Sequence, residues 1–201
     1  MLILVGASAS GKTEISRILI NEYGFKKMIT TTSRKPRYGE VNGVDYNFIS
    51  KKVFENRMKK GRFLETVCYN DNYYGTPKKG ATVEKVLIVE PEGVNKIYEH
   101  EIPNTVIILL ETAETTRKDR MLDRGDTLIQ VIDRLEGDKD YFDKTKLKHI
   151  DFIVNTTEGT QHELAEKIYE LYSHQVKISL ENQLSIFDVF RNDEKEKNGD
   201  K

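Results

Sequence analysis

The sequence contains few of the features that mark secreted, zinc-binding or membrane-spanning proteins. Its 201 residues include one cysteine, Cys68, so no internal disulfide can form and no cysteine–histidine group has zinc spacing. We expect Cys68 to be a small packed side chain. The longest apolar runs, 1–5 and 106–110, are far too short to span a bilayer. No signal peptide precedes the first predicted strand, so we expect a cytoplasmic protein.

The charge of the chain is almost balanced. The sequence has 32 Lys and Arg against 33 Asp and Glu, which gives a formal net charge of −1. No global basic field therefore favours nucleic-acid binding by the core domain, and no membrane association is expected. Hydrophobic residues make up 37% of the chain, which is enough for a globular domain with a sizeable core.

Apolar runs alternate with helical patterns along much of the chain. Continuous apolar stretches at 1–5, 86–89, 105–110 and 152–154 are typical of strands buried on both faces. Segments at 13–23, 92–100, 113–123 and 160–173 have helical spacing. This order predicts an α/β fold with a parallel sheet flanked by helices.

Three segments depart from that pattern. Residues 30–79 are rich in Tyr, Thr, Asn, Gly and Arg, with short strand-like pieces around one helical piece near 51–60, which predicts an inserted α+β subdomain. Residues 124–148 are highly charged and suit a mobile helical lid. The prediction is thus one domain at 1–175, with its core at 1–29, 80–123 and 149–175. A tail at 176–201 is expected to be partly disordered.

One local motif carries most of the chemistry. Residues 6–13 read GASASGKT and fit the pattern G-x-x-x-x-G-K-[ST] between a buried strand and a helix. The glycines let the backbone approach phosphate oxygens, and the helix N-terminus faces the anion. Lys12 would reach the β and γ phosphates, and the Thr13 hydroxyl would bind Mg²⁺. The predicted ATP-binding residues of this loop are Gly6, Ala7, Ser8, Ala9, Ser10, Gly11, Lys12 and Thr13.

Two further segments resemble the guanylate kinase family of P-loop nucleoside monophosphate kinases. Residues 30–48 read TTTSRKPRYGEVNGVDYNF, and GRFLE at 61–65 is followed by NYYGT at 72–76. The similarity extends over residues 1–173 in family order. It implies a P-loop NTPase-type sheet with an inserted monophosphate-binding subdomain and a lid. It also implies phosphorylation of GMP, dGMP or both by ATP with Mg²⁺.

The resemblance further implies roles for single residues. Glu65 would read guanine, because a carboxylate can face both the N1–H and the 2-amino group, and two guanidinium groups suit the dianionic acceptor phosphate. Lid arginines would stabilise the charge that spreads over the transferred phosphoryl group. The implied GMP-binding set is Thr30, Arg34, Arg37, Tyr46, Glu65, Tyr74 and Thr76. The implied catalytic set is Lys12, Arg37, Arg124 and Arg134, and Asn155 would lie on the adenine side.

The sequence departs from the family pattern at one strand end. The family commonly has two acids there, spaced two apart, whereas this chain has Ile88 and Glu90. Glu90 would help to hold Mg²⁺, directly or through water, and Ile88 puts strict guanine selectivity in question. A broader (deoxy)nucleoside monophosphate kinase is therefore one alternative. A non-catalytic guanylate-kinase-like module that binds proteins is a second, although the intact P-loop argues against it.

The tail contains a second, shorter resemblance. Residues Gln183 to Phe187 read QLSIF, which is similar to the peptide by which bacterial replication proteins bind the sliding clamp. The alternative is an apolar strip that folds back on the domain.

Overall fold

The protein is described here from a computed structural model that covers residues 1–36, 39–69 and 71–198, with the side chains of Tyr69 and of residues 182–198 left out. Five parallel strands form the main sheet. Their spatial order is β2 (Lys26–Lys27), β7 (Lys85–Ile88), β1 (Leu2–Val5), β8 (Val106–Glu111) and β9 (Phe152–Asn155). The α/β fold predicted from the sequence is confirmed.

Helices cover both faces of this sheet because alternate residues of its central strands point to opposite sides. Leu2 and Leu4 of β1 belong to one core cluster, with α1 (Lys12–Glu22) and α6 (Gln161–Asn198). Ile3 and Val5 belong to a second cluster, with α3 (Pro91–Tyr98). The carboxyl ends of the strands are left free at one edge, where α/β proteins bind ligands.

The inserted subdomain has a sheet of its own. The strands, in spatial order, are β4 (Asn47–Phe48), β3 (Thr31–Thr32), β6 (Asn72–Pro77) and β5 (Phe63–Tyr69), and α2 (Lys51–Lys59) packs on them. Phe54 of α2 is fully buried, and its ring stacks on Phe63 at 4.5 Å and on Tyr73 at 5.3 Å between centroids. This aromatic core fixes the β5–β6 hairpin, which carries Glu65 and Thr76.

The charged segment predicted to be a lid is largely helical. It lies between α4 (Glu114–Asp123) and β9, and contains α5 (Leu128–Tyr141) and a short 3₁₀ helix at Lys144–Lys146. The hydroxyl of Thr127 accepts from the Gln130 N–H, and Gln130 accepts from the Thr127 N–H, which forms a capping box. This cap explains why α5 begins at Leu128. The exact limits of lid and subdomain stay predictions.

One local expectation differs from the structure. Cys68 on β5 is exposed rather than packed in a core, and it lies opposite Tyr73 near the end of the β5–β6 hairpin. Helix α6 continues to Asn198, and the partial disorder expected of the tail at 176–201 stays a prediction. No Gly or Pro occurs between Thr160 and Asn198, so nothing in this stretch ends a helix. Among the described residues, no helix is both long and apolar enough to cross a membrane.

Candidate active site

The P-loop lies where β1 ends and α1 begins. A Cβ at Gly6 would lie 2.6 Å from the Leu110 carbonyl oxygen, so only glycine lets the loop pass β8 this closely. Gly11 caps α1 in the left-handed region, with φ of 95°. The loop therefore delivers its backbone N–H groups and the N-terminus of α1 to one place, which favours an anion there.

Lys12 is folded back onto its own loop. Its Nζ donates to the carbonyl oxygens of Gly6 at 2.5 Å and Ala7 at 2.8 Å. Loss of hydration lowers the pKa of Lys12, while the negative charges of Glu90 and Asp138 act in the opposite direction. The negative charges of Glu90 and Asp138 thus favour the charged form of the Lys12 amine, against the effect of burial.

The sequence interpretation missed a buried ion pair on the P-loop. The Asp138 carboxylate of α5 accepts from the Ser8 N–H at 2.8 Å and from the Ser8 hydroxyl at 3.2 Å. Arg117 of α4 donates to the same carboxylate at 2.7 Å. Neither residue belongs to a local motif, and 130 residues separate Ser8 from Asp138, so no pattern along the chain signals this contact.

Thr156 and Arg120 contact the second half of the P-loop, at Ala9 and Ser10. The buried Thr156 hydroxyl donates to the Ser10 carbonyl at 3.0 Å. Arg120 donates to the carbonyls of Ala9 at 3.3 Å and Thr156 at 2.8 Å. Asn155, predicted to lie on the donor side, is exposed and lines a cavity of about 480 Å³ together with Ala7.

The two lid arginines are brought to a common partner. Arg124 donates to Asp126 Oδ2 through Nε at 3.0 Å and through Nη2 at 2.5 Å, and Arg134 Nη1 lies 3.6 Å from the same oxygen. Arg124 ends α4 and Arg134 lies within α5, and both are about half exposed. The two guanidinium groups therefore form one cluster at the α4–α5 turn.

Glu65 and Thr76 meet across the β5–β6 hairpin. The Thr76 hydroxyl is buried and donates to Glu65 Oε1 at 2.7 Å. Partial burial raises the pKa of Glu65 above its ordinary range, since the ionised form loses water. Gly93, in the first turn of α3, lies beside Glu65, since a Cβ there would be in ordinary van der Waals contact with Glu65 Cγ at 3.7 Å. The predicted base-reading carboxylate is thus enclosed between the subdomain and the main domain.

Arg34, Tyr46 and Tyr74 also come together. The Arg34 guanidinium lies 5.7 Å from the centre of the Tyr46 ring, and the rings of Tyr46 and Tyr74 are 6.2 Å apart. Glu40, which the sequence interpretation missed, accepts two bonds from Arg34, at 2.9 and 2.7 Å. This pairing raises the pKa of Arg34. Arg37 lies outside the described residues, so its role stays a prediction.

A pocket of about 330 Å³ lies between α1 and the inserted subdomain. Thr13 and Ile88 line its main-domain side, and Thr30 and Tyr46 line the other. Ile88 also packs partly against the core cluster that contains α1. The pocket joins the metal-binding candidate Thr13 to two candidates for acceptor binding.

The oxygen donors near the P-loop suit magnesium held mainly by a nucleotide. Within the part of the chain that the structure describes, no group of three or more His, Cys, Asp or Glu could hold a metal ion. Thr13 and Glu90 are both exposed, and each offers a hard oxygen. Mg²⁺ commonly takes one or two such protein ligands and completes its shell with phosphates and water.

Comparison with known proteins identifies relatives over most of the chain. A sequence model described as guanylate kinase matches residues 1–170. The guanylate kinase of Clostridioides difficile (strain 630) is 32% identical over 200 residues, which cover 88% of this chain and 97% of that one. The guanylate kinase of Onion yellows phytoplasma (strain OY-M) is 37% identical over 134 residues, covering 62% and 63%.

Solved structures agree on the fold. A guanylate kinase from Anaplasma phagocytophilum superposes with a TM-score of 0.62 at 21% identity, covering 89% of this chain and 87% of that one. A gluconokinase from Sinorhizobium meliloti 1021 gives 0.54 at 13% identity, covering 90% and 95%. These likenesses agree with the fold, a parallel sheet flanked by helices.

Proposed function

Because the chain belongs to the guanylate kinase family, we propose that it transfers the γ-phosphate of ATP to GMP, dGMP or both. The observation that carries this proposal is the Glu65 carboxylate, fixed by Thr76 in a subdomain that adjoins an intact P-loop. A P-loop alone is compatible with many nucleotide enzymes. The enclosed carboxylate of Glu65 adds a preference for a substrate that presents two adjacent N–H donors.

Guanine supplies such a donor pair and adenine does not. The Glu65 carboxylate would accept from guanine N1–H and from the 2-amino group, and its Oε1 already accepts from Thr76 at 2.7 Å. Hydrogen bonds to an ionised acceptor are among the stronger ones. Thr76 and Thr30 would add hydroxyl contacts to the base.

The acceptor phosphate would bind between the guanidinium of Arg34 and the phenols of Tyr46 and Tyr74, which already lie together. A planar guanidinium can donate two parallel hydrogen bonds to a phosphate. Arg37 would supply a second guanidinium group. Since this phosphate is ionised near neutral pH, its attack on phosphorus needs no general base.

The donor nucleotide would occupy the P-loop. Its phosphates would accept from the backbone N–H groups of residues 6–13 and from Lys12, and Asn155 would lie near its base. The lid arginines Arg124 and Arg134 would then approach the transferred group. Direct in-line transfer requires positioning and positive charge rather than a covalent intermediate on the protein.

Thr13 and Glu90 are the residues that would hold Mg²⁺ beside the nucleotide. When bound, the ion supplies neutralisation of phosphate charge. The Thr13 hydroxyl and the Glu90 carboxylate would orient it, the latter directly or through water.

The test is an ADP-release assay with MgATP and each of GMP, dGMP, AMP, CMP, UMP and dTMP. Turnover confined to GMP and dGMP is expected. Turnover with other bases would favour the broader monophosphate kinase that Ile88 suggests. An absence of turnover with every acceptor would favour a protein-binding module.

Binding of Gln183–Phe187 to a sliding clamp forms no part of this proposal. The segment lies within α6, in the part whose side chains are outside the description. The match of the family model ends at residue 170. Clamp docking therefore stays a sequence prediction without support.

A further inference from the structure

Both backbone groups of Ser8 are held by one buried ion pair. The Ser8 N–H donates to Asp138 Oδ2 at 2.8 Å, and Arg117 Nη1 lies 3.5 Å from the Ser8 carbonyl oxygen. Only 7% of the surface of Arg117 and 9% of that of Asp138 is accessible to solvent. The pair therefore joins α4, α5 and the P-loop at a point where the loop is expected to receive phosphate.

The groups around the Asp138 carboxylate are those that proteins use for phosphate oxygens. A backbone N–H and the Ser8 hydroxyl donate at 2.8 and 3.2 Å, and a guanidinium donates at 2.7 Å. Charge-assisted bonds of this kind do not distinguish a carboxylate from a phosphate by donor type. The site is thus built for an anion, and a side chain of the protein fills it.

A second contact of α5 falls on the other phosphate-binding group of the loop. Phe142 follows Asp138 by one helical turn, and its ring centre lies 5.6 Å from Lys12 Nζ. Met121, Val131 and Leu135 form a small core that Ala9 of the P-loop joins. The end of α5 therefore lies over the loop on the side that Lys12 occupies.

We propose that Ser8 and Arg117 form a subsite for the terminal phosphate of a nucleoside triphosphate, and that Asp138 occupies this subsite until the triphosphate displaces it. The inference rests on the proposed function for the identity of the donor, ATP. It adds Arg117 as a phosphate-binding residue and Asp138 as an internal competitor.

The exchange has a defined thermodynamic signature. The apparent affinity for a ligand equals the intrinsic affinity multiplied by the fraction of molecules whose site is open. Only a ligand that reaches the Ser8–Arg117 subsite has to displace Asp138. ATP carries the terminal phosphate and ADP lacks it, so the competition should weaken ATP binding and leave ADP binding almost unaffected.

The first experiment measures dissociation constants of MgATP and MgADP by calorimetry on the full chain without an acceptor. Asp138→Asn keeps the shape of the side chain and removes its charge. We expect this variant to bind ATP roughly threefold to tenfold more tightly, with ADP affinity changed by less than about twofold. Asp140→Asn is the matched control, since it removes one exposed charge from the same helix, and it should change neither constant.

The second experiment tests Arg117 in a protein without the buried charges. Removing one partner alone leaves the other charge buried and unpaired, which destabilises proteins, whereas apolar replacement of both is often tolerated. Arg117→Met combined with Asp138→Leu should therefore fold, as judged by thermal melting. The double variant should bind ATP less tightly than Asp138→Asn does, and it should bind ADP with wild-type affinity.

Three results separate the possible readings. Equal weakening of ATP and ADP in Asp138→Asn would overturn the inference, because the pair would then only maintain the loop. Unchanged ATP binding in both variants would overturn it as well. A wild-type chain that binds ATP yet phosphorylates no monophosphate would contradict the proposed function and leave the ATP-to-ADP comparison valid.

Discussion

The regions proposed to bind the base and the phosphates differ in how their charged groups are paired. At the base, Glu65 is fixed by one neutral donor, the Thr76 hydroxyl, at 2.7 Å. On the side proposed to bind the phosphates, four arginines are each joined to an internal carboxylate. The pairs are Arg34 with Glu40, Arg117 with Asp138, and Arg124 and Arg134 with Asp126.

The difference follows from the cost of unpaired charge. A carboxylate has several lone pairs, so Glu65 can accept from Thr76 and still accept from a base. A guanidinium without an anionic partner is poorly tolerated in a partly dehydrated cleft. Internal carboxylates stabilise these cations, and on the proposed function a phosphate would have to replace the carboxylate. Recognition of the base would thus add hydrogen bonds, whereas recognition of phosphate would exchange them.

Lys12, which we propose binds phosphate, has no direct carboxylate contact, since its Nζ donates to carbonyl oxygens of Gly6 and Ala7. It should therefore be the most damaging charge to remove. Lys12→Met is expected to lower kcat by roughly 10²–10³-fold, because one preorganised charge at the transferred group is lost.

The measurement is steady-state turnover with MgATP and GMP, together with a thermal melt. Lys167→Met, an exposed change on α6, is the control and should leave turnover unchanged. Retention of most of the activity by Lys12→Met would refute the P-loop assignment.

The fold and the P-loop could be predicted because their signals are local. The P-loop is contiguous, and the strands β1, β7, β8 and β9 consist largely of apolar residues, which are most fully buried in the central strands β1 and β8. Strand β2 escaped prediction because it consists of two exposed lysines at an edge of the sheet. Its pairing with β7 depends on backbone hydrogen bonds, which leave no side-chain pattern.

The carboxylates that pair with the phosphate-binding groups could not be predicted for another reason. Asp138 meets Ser8 only because α5 folds back over the P-loop, across 130 positions of sequence. Arg117 and Asp138 lie in helices rich in charge, where a buried charged residue looks like an exposed one. Burial is a property of the assembled fold, and the sequence around these residues does not encode it.

Removal of the Glu65 charge should have the next largest effect, and it should act on base selection. Glu65→Gln replaces an ionised acceptor by a neutral amide that offers a donor where guanine also has donors. We expect kcat/KM for GMP to fall about tenfold to hundredfold, the range for hydrogen bonds to charged groups. The kcat/KM for AMP should fall far less. A turnover assay with each of the two acceptors measures this difference. Equal losses for GMP and AMP would mean that Glu65 does not read the base.

The raised pKa of Glu65 predicts a pH dependence of GMP binding. Partial burial favours the protonated form, so the carboxyl takes up a proton at a pH above the ordinary value of 4.5. A protonated Glu65 loses its charge and one acceptor oxygen, and KM for GMP should therefore rise as pH falls. Below the pKa, the rise should approach about tenfold per pH unit.

The control for this profile is the same titration with Glu65→Gln. The phosphate of GMP also titrates in mildly acidic solution, with a pKa of about 6, and its contribution persists in the variant. The difference between the two profiles isolates Glu65. Superimposable profiles would show that Glu65 stays ionised over the range and that its burial has no effect on binding.

The smallest expected effect tests the exchange of bonds at the acceptor phosphate. Glu40→Gln removes the charge that pairs with Arg34, so the guanidinium can donate to a phosphate without first breaking an ion pair. KM for GMP should therefore fall about twofold to fivefold, which is the scale of partly screened ion pairs. The same change should leave KM for ATP unaltered, since Glu40 belongs to the inserted subdomain. Glu101→Gln, at an exposed turn after α3, controls for net charge. A rise in KM for GMP would instead mean that Glu40 holds Arg34 in the position that binds phosphate. The acceptor side would then resemble the base site, where Thr76 orients Glu65 and does not compete with the substrate.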